Sequence, residues 1–163
     1  MTISDYNTLV DLHSDALFRF LWKSSSDREL AQDLVQESYL RLWNNLRKVE
    51  FTKAKSYLFT VAYNCLMDHF RDKKRKSKIE VEYNTVIEPM KSYDLKELLD
   101  HALNTLPKIQ KSILLLRDYE GYSYKEIEEM TGLNESQVKV YIFRARTTMK
   151  DFLITNNAVY PSI

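Results

Sequence analysis

Glycine and proline are nearly missing from this chain: two and three in 163 residues, against a usual glycine share of about 7%. Turn-rich β architecture needs such residues at its corners, so their scarcity points to helices joined by few, short connections. One cysteine, Cys65, excludes an internal disulfide and a multi-cysteine zinc site. It stands at an apolar-periodic position and reads as core filler, not as a nucleophile. No run of about 18 apolar residues and no basic-then-hydrophobic leader occurs, so a soluble, cytoplasmic chain without membrane insertion is expected. Gly-rich phosphate loops, nucleophile elbows and paired histidines are lacking too, and His13, His69 and His101 are scattered singly. No enzyme activity, cofactor, metal or small-molecule substrate is expected.

A large net charge is also absent. The formal value of +1 hides a polarised chain. Residues 53–78 carry eight basic and two acidic groups, whereas residues 79–106 carry two basic and six acidic. Such asymmetry concerns partners more than fold.

What is present is helical periodicity, and the 44% hydrophobic content suffices for packed cores. Leu9, Leu12, Ala16, Leu17 and Phe20 space a helix over 5–23, and SSSD offers a break with a cap at Ser26 or Asp27. Leu30, Leu34, Tyr39, Leu42, Trp43 and Leu46 space a second over 27–46. RKVEFT leads into a third over 53–75, with Leu58, Val61, Ala62, Cys65 and Leu66 buried and Phe59 and Phe70 flanking. The period then fails through KSKIEVEYNTVIEPMKS, read as a flexible linker. A second helical set opens near residue 93, with Pro107 in the first turn of a helix that runs to Tyr119 and Gly121 as its left-handed cap. The expectation is an all-α chain of two small helical domains, 1–75 and 93–155, with a linker at 76–92 and a loose tail at 156–163.

Three faces carry chemistry. In YKEIEEMTGLNESQVKVYIFRAR, Ser123 and Glu126 form a capping box, Gly132 turns the chain, and a longer helix follows. That is the plan of a helix-turn-helix. Ile127 and Met130 should pack on Val138 and Ile142, while Ser136, Lys139, Val140, Phe143 and Arg144 face outward, with Arg146 and Lys150 beside them. A thymine methyl takes an apolar contact, a guanine edge takes Arg, and phosphates take Lys or Arg, so this set suits a major groove. A merely solvated face is the plain alternative for any one residue, but not for the combination.

On the 53–75 helix, Lys53, Tyr57, Thr60, Asn64, Asp68, Arg71 and Arg75 fall within about 80° of arc and run into RDKKRKSK. Stacking, amide and guanidinium groups in one line suit unstacked bases and backbone. In AQDLVQESYLRLW, Asp33, Gln36, Glu37 and Leu40 share a face, set away from Leu30, Leu34 and Trp43. Without a nearby histidine, this carboxylate–amide patch fits docking of a basic helix better than acid–base work.

These three stretches, in this order, resemble the extracytoplasmic-function (ECF) group of the sigma-70 family of RNA polymerase sigma factors, over nearly the whole chain. AQDLVQESYLRLW looks like the segment gripping the polymerase β′ coiled coil, which makes Asp33, Gln36, Glu37 and Leu40 docking residues. KSYLFTVAYNCLMDHFRDKKR looks like the helix that melts and holds the −10 promoter element; Asn64, Asp68 and Arg71 match its pattern, and Tyr57 stands where Trp is common. LPKIQKSILLLRDYEGYSYKEIEEMTGLNESQVKVYIFRARTTMK resembles the domain that reads the −35 element, with Lys139, Val140, Phe143 and Arg144 at reading positions. Glu128 departs from a usual alanine and Val140 from a common serine. The resemblance implies core RNA polymerase, through its β′ coiled coil and β flap, promoter DNA and an anti-sigma factor as partners. By its position beside the stripe, the connector at 47–53 is where a pocket for a flipped base would be built, and on the same reading the acidic linker follows the RNA exit path. A stand-alone helix-turn-helix regulator is the other reading; it would bind an operator duplex without polymerase, usually as a symmetric dimer.

Overall fold

The structure, a computed structural model, describes residues 1–76 and 94–156. Every regular element among them is helical. Helices α1 (Ile3–Ser25), α2 (Arg28–Asn44) and α3 (Ala54–Lys76) form one body, with a 3-10 turn, Phe51–Lys53, before α3. Helices α4 (Leu95–Asn104), α5 (Lys108–Leu114), α6 (Tyr124–Thr131) and α7 (Glu135–Thr155) form the other. Residues 77–93 and 157–163, which take in the proposed linker except Lys76 and the proposed tail except Asn156, lie outside the described residues.

Helix boundaries follow local chemistry. The Asp27 carboxylate accepts from the Leu30 N–H at 3.0 Å and so caps α2. Ser26, the other candidate, instead ends α1 in the left-handed region at φ 56°, its N–H donating to the Trp22 carbonyl. It is the one non-glycine residue there among those described, a conformation costing about 1 kcal/mol or more for a residue with a Cβ. The side chain that a glycine would lack reaches across to Asn104.

The periodicity misplaces two apolar residues. Leu12 is 62% and Trp43 44% exposed; α1 and α2 bury Leu9, Leu17, Phe20, Tyr39 and Leu42 as expected, and Leu21 and Ala31 besides. The third helix starts at Ala54, so Lys53 belongs to the 3-10 turn. Leu58, Val61, Ala62, Cys65 and Leu66 are buried as expected, while Phe59, read as flanking, is fully buried. Burial also pushes the Cys65 thiol pKa up.

The helix after Pro107 does not run uniformly to Tyr119. It is α-helical to Leu114 and widens into a π turn over Leu115–Tyr119, in which Glu120 N–H reaches back to the Leu115 carbonyl. Gly121, at φ 78°, then reverses the chain. Widening by one residue per turn rotates Asp118 toward α7, which helical periodicity alone would not foresee.

The two bodies pack together, through α1 against α5 and its π turn and through α3 against α6. Phe59 stands at the junction: its ring meets Phe20 at 5.7 Å and Tyr122, from the second body, at 5.3 Å. Around this contact Arg19 pairs with Glu120 through two hydrogen bonds of 3.1 Å, and Lys23 with Asp100 at 3.1 Å.

Candidate docking and nucleic-acid surfaces

On α2, Asp33, Gln36 and Leu40 are exposed and Glu37 is half-exposed. Glu37 accepts from Arg41 at 2.8 Å, one helical turn on, which raises the Arg41 pKa further. The inner side is pinned by Tyr39, whose hydroxyl donates to the Leu9 carbonyl at 3.2 Å; burial pushes this phenol up. Contrary to the sequence reading, Trp43 is not on a separate face. Gln36, Leu40 and Trp43 follow at i, i+4 and i+7 and line one shallow groove of about 410 Å³ with Tyr6, Val10 and Val35 of α1 and α2. Trp43 leans its edge on Tyr6, ring centres 5.1 Å apart. The face is therefore a carboxylate–amide row beside an apolar trough, and the trough is what sequence reading missed.

The stripe on α3 is graded. Tyr57 and Thr60 are half-buried. The Tyr57 hydroxyl accepts from Asn45 at 3.2 Å, and the Thr60 hydroxyl donates to the Ser56 carbonyl at 2.7 Å. Lys53, Asn64, Asp68, Arg71 and Arg75 are exposed. Asp68 and Arg71, one turn apart, form an ion pair. The last turn adds Lys73, Lys74, Arg75 and Lys76, placing cations where the helix dipole favours them. The stripe itself borders a cleft of about 810 Å³, shared with the second body, where Asn64 and Arg71, with Phe70 beside them, face Lys108, Ile109 and Tyr141. Lys108 sits 4.1 Å from the centre of the Phe70 ring, and burial together with nearby Lys73 lowers its pKa.

The helix-turn-helix is spelled by its caps. Ser123 and Glu126 cap α6 reciprocally, Gly132 at φ 75° ends it, and Asn134 and Gln137 repeat the device at the start of α7. Ile127, Met130, Val138 and Ile142 are buried together. Ser136, Lys139, Val140, Phe143, Arg144 and Lys150 are exposed, Phe143 at 71%. A phenyl ring so exposed, between Lys139 and Arg144, has no role in the core of its own domain. Lys139 pairs with Glu135 at 2.7 Å, which raises the Lys139 pKa and lowers that of Glu135. Glu128, the departure from alanine, is half-buried, and its charge acts on Lys139. Arg146 is turned to Asp118 of the π turn in a two-bond pair of 3.0 and 2.5 Å, so it braces α7 as well as offering charge.

Among the described residues there is no group of three or more side chains that could hold a metal ion, and no helix long and apolar enough to cross a membrane. Residues 9–76 match the family Sigma-70 region 2, and residues 96–149 match Sigma-70, region 4. The chain belongs to the sigma-70 family, in its ECF group. It is 29% identical over 92% of its length to the ECF RNA polymerase sigma factor SigM of Bacillus subtilis, covering 94% of that protein. To the ECF sigma factor SigE of Mycolicibacterium smegmatis it is 27% identical over 94% of its length, spanning 63% of that longer protein. The sigma factor RpoE of Bartonella quintana, solved in complex with the anti-sigma factor NepR, superposes with a TM-score of 0.77 at 26% identity, over 93% of this chain and 98% of that one. A sigma factor is a transcription initiation factor and not an enzyme. Matches to both regions on one chain also replace the stand-alone regulator reading.

Proposed function

We propose that this ECF sigma factor docks on core RNA polymerase through the α2 face, with Asp33, Gln36 and Glu37 meeting a basic helical element, the β′ coiled coil, and Leu40 and Trp43 closing the apolar trough. The exposed part of the α3 stripe, Asn64, Asp68, Arg71 and Arg75 with Lys53, holds the −10 strand. Tyr57 and Thr60 sit at its base, where a flipped base would stack. Helix α7 enters the −35 major groove, Val140 and Phe143 meeting thymine methyls, Ser136, Lys139 and Arg144 meeting edges or phosphates, and Arg146 and Lys150 lying along the backbone. The β flap is the expected seat of the second domain, an anti-sigma factor the expected regulator, and the cytoplasm the expected compartment. The observation that carries the reading is the exposed Val140 and Phe143 pair within a ring of cations on the second helix of the helix-turn-helix.

The test is run-off transcription with purified core polymerase on a promoter library. Addition of the chain should create discrete start sites that share −10 and −35 elements. Polymerase that starts no differently with the chain than without it would reject the proposal.

A further inference from the structure

Between the two bodies lies a buried cation that the promoter and docking surfaces do not use. Lys111 of α5 is 5% exposed. Its ammonium donates to Asn104 Oδ1 at 2.8 Å and to Ser26 Oγ at 3.3 Å. Ser26, at the end of α1, donates in turn to the same Asn104 oxygen at 2.9 Å. The ring thus spans both bodies with neutral acceptors only. The charged groups facing it are Lys23 of α1, Lys108 of α5 and Asp100 of α4, and the Asp100 carboxylate is already engaged by Lys23. Lys23 also lies 5.5 Å from the centre of the Tyr119 ring in the π turn. A desolvated ammonium without a carboxylate of its own opposes the burial that encloses it.

The packed arrangement also cannot serve both promoter elements at once. The cleft brings Asn64 and Arg71 of the α3 stripe against Tyr141 of α7, whereas −10 and −35 elements lie roughly 80 Å apart along a duplex rising about 3.4 Å per base pair. The bodies must part for the proposed function, and the seam between them has to be separable.

We propose that Lys111 sets the balance between the packed and parted arrangements, weakening a seam that Arg19–Glu120, Lys23–Asp100 and Phe59–Tyr122 would otherwise hold shut. Burial, then Lys108, lower its pKa from 10.5 to about 8. That difference corresponds to a bias of up to roughly three hundredfold against the packed form while Lys111 is charged. The sign follows directly. The packed form favours neutral Lys111, so packing strengthens as pH rises from about 8 toward 10.5 and is constant and weakest below 8. Removing the charge leaves no orphan, because Ser26 and Asn104 stay bonded to each other.

The experiment measures the distance between spin labels at exposed positions 29 and 148, in a Cys65→Ala background. Every variant also carries Glu120→Ala, which removes the two-bond pair and populates the parted form. Lys111→Met keeps the apolar stem and should raise the packed-to-parted ratio at pH 7 by tenfold or more. Lys111→Gln, equally neutral, should move it the same way if the methionine variant folds poorly by circular dichroism. With lysine at 111 the packed fraction should climb between pH 8 and 10; with methionine it should be flat. An unchanged or lower ratio in the neutral variants, or the same pH profile for lysine and methionine, would overturn the proposal. Neither readout depends on polymerase or promoter, so it can fail while the functional reading stands.

Discussion

Reversing the charges of the α2 face, Asp33→Lys with Glu37→Lys, should separate docking from folding. Asp33 is exposed and makes no ion pair among the described residues, while Glu37 and Arg41 are 41% and 48% exposed and pair across one helical turn. Such a pair stabilises by about 0.3–0.5 kcal/mol. Lysine is the better helix former than aspartate by a few tenths of a kcal/mol, so the net folding change stays within about 1 kcal/mol. For a chain of this length that moves Tm by about 2–4 °C at most. Placing a cation against a basic helix, in contrast, costs on the order of 2–5 kcal/mol for each close charge pair broken. The affinity for core polymerase should therefore fall by at least about 30-fold. Competition of the unlabelled variant against a fluorescent wild-type chain for core polymerase measures the first quantity, and a thermal melt the second. Duplex binding by α7 should be unaltered. An affinity within threefold of wild type would remove the docking assignment, and a Tm loss above about 10 °C would show that the face serves the fold instead.

Other outcomes follow from single contacts. The Tyr122 hydroxyl is buried and has no hydrogen-bond partner among the described residues, so Tyr122→Phe should leave the fold intact and raise Tm by about 2–4 °C in a melt, for roughly 1 kcal/mol of relief. Ser123→Ala removes one half of the α6 capping box; it should cost about 1 kcal/mol in urea unfolding and weaken −35 duplex binding through looser presentation of α7. Arg144→Ala should lower duplex affinity and flatten its salt dependence by about one unit of slope in binding titrations. Arg146→Ala should lower Tm as well, because it frees Asp118. Burial holds the Cys65 thiol protonated at neutral pH, so a thiol reagent should modify it at the unfolding rate and show no fast phase.

Much of the second body was legible because its boundaries are written in short polar signals. Ser123 with Glu126 satisfies helix-start amides and the Gly132 N–H closes on the Glu128 carbonyl, each within a few residues, and the structure keeps both; the matching box of Asn134 and Gln137 was not read from the sequence. The inner face of α7 was equally plain from spacing, and so was that of α3 apart from Phe59 and Tyr63, which are buried as well. Leu12 and Trp43 were not, since helical periodicity counts apolar positions but cannot say which will find a partner. Trp43 is taken up by a groove that depends on Tyr6 from another helix. The π turn escaped for a similar reason: no residue of LLRDY announces it, and its outcome, Asp118 on Arg146, joins groups 28 positions apart. Least legible was the seam. Phe59 against Tyr122, Arg19 against Glu120 and Ser26 against Asn104 are contacts between the two domains, and neither domain's own pattern requires them. The site residues on α3 were placed on one line, but their unequal exposure comes from Asn45 and Arg41 closing over Tyr57.

The division of labour between α3 and α7 is tested most directly by photocrosslinking from inside the complete assembly. A photoreactive phenylalanine replaces Tyr57 in one preparation and Phe143 in another, each bound with core polymerase to the same promoter. Position 143 should crosslink to the −35 duplex and position 57 to the non-template strand at −10. Crosslinks from both positions to one element, or from neither to DNA, would contradict the account.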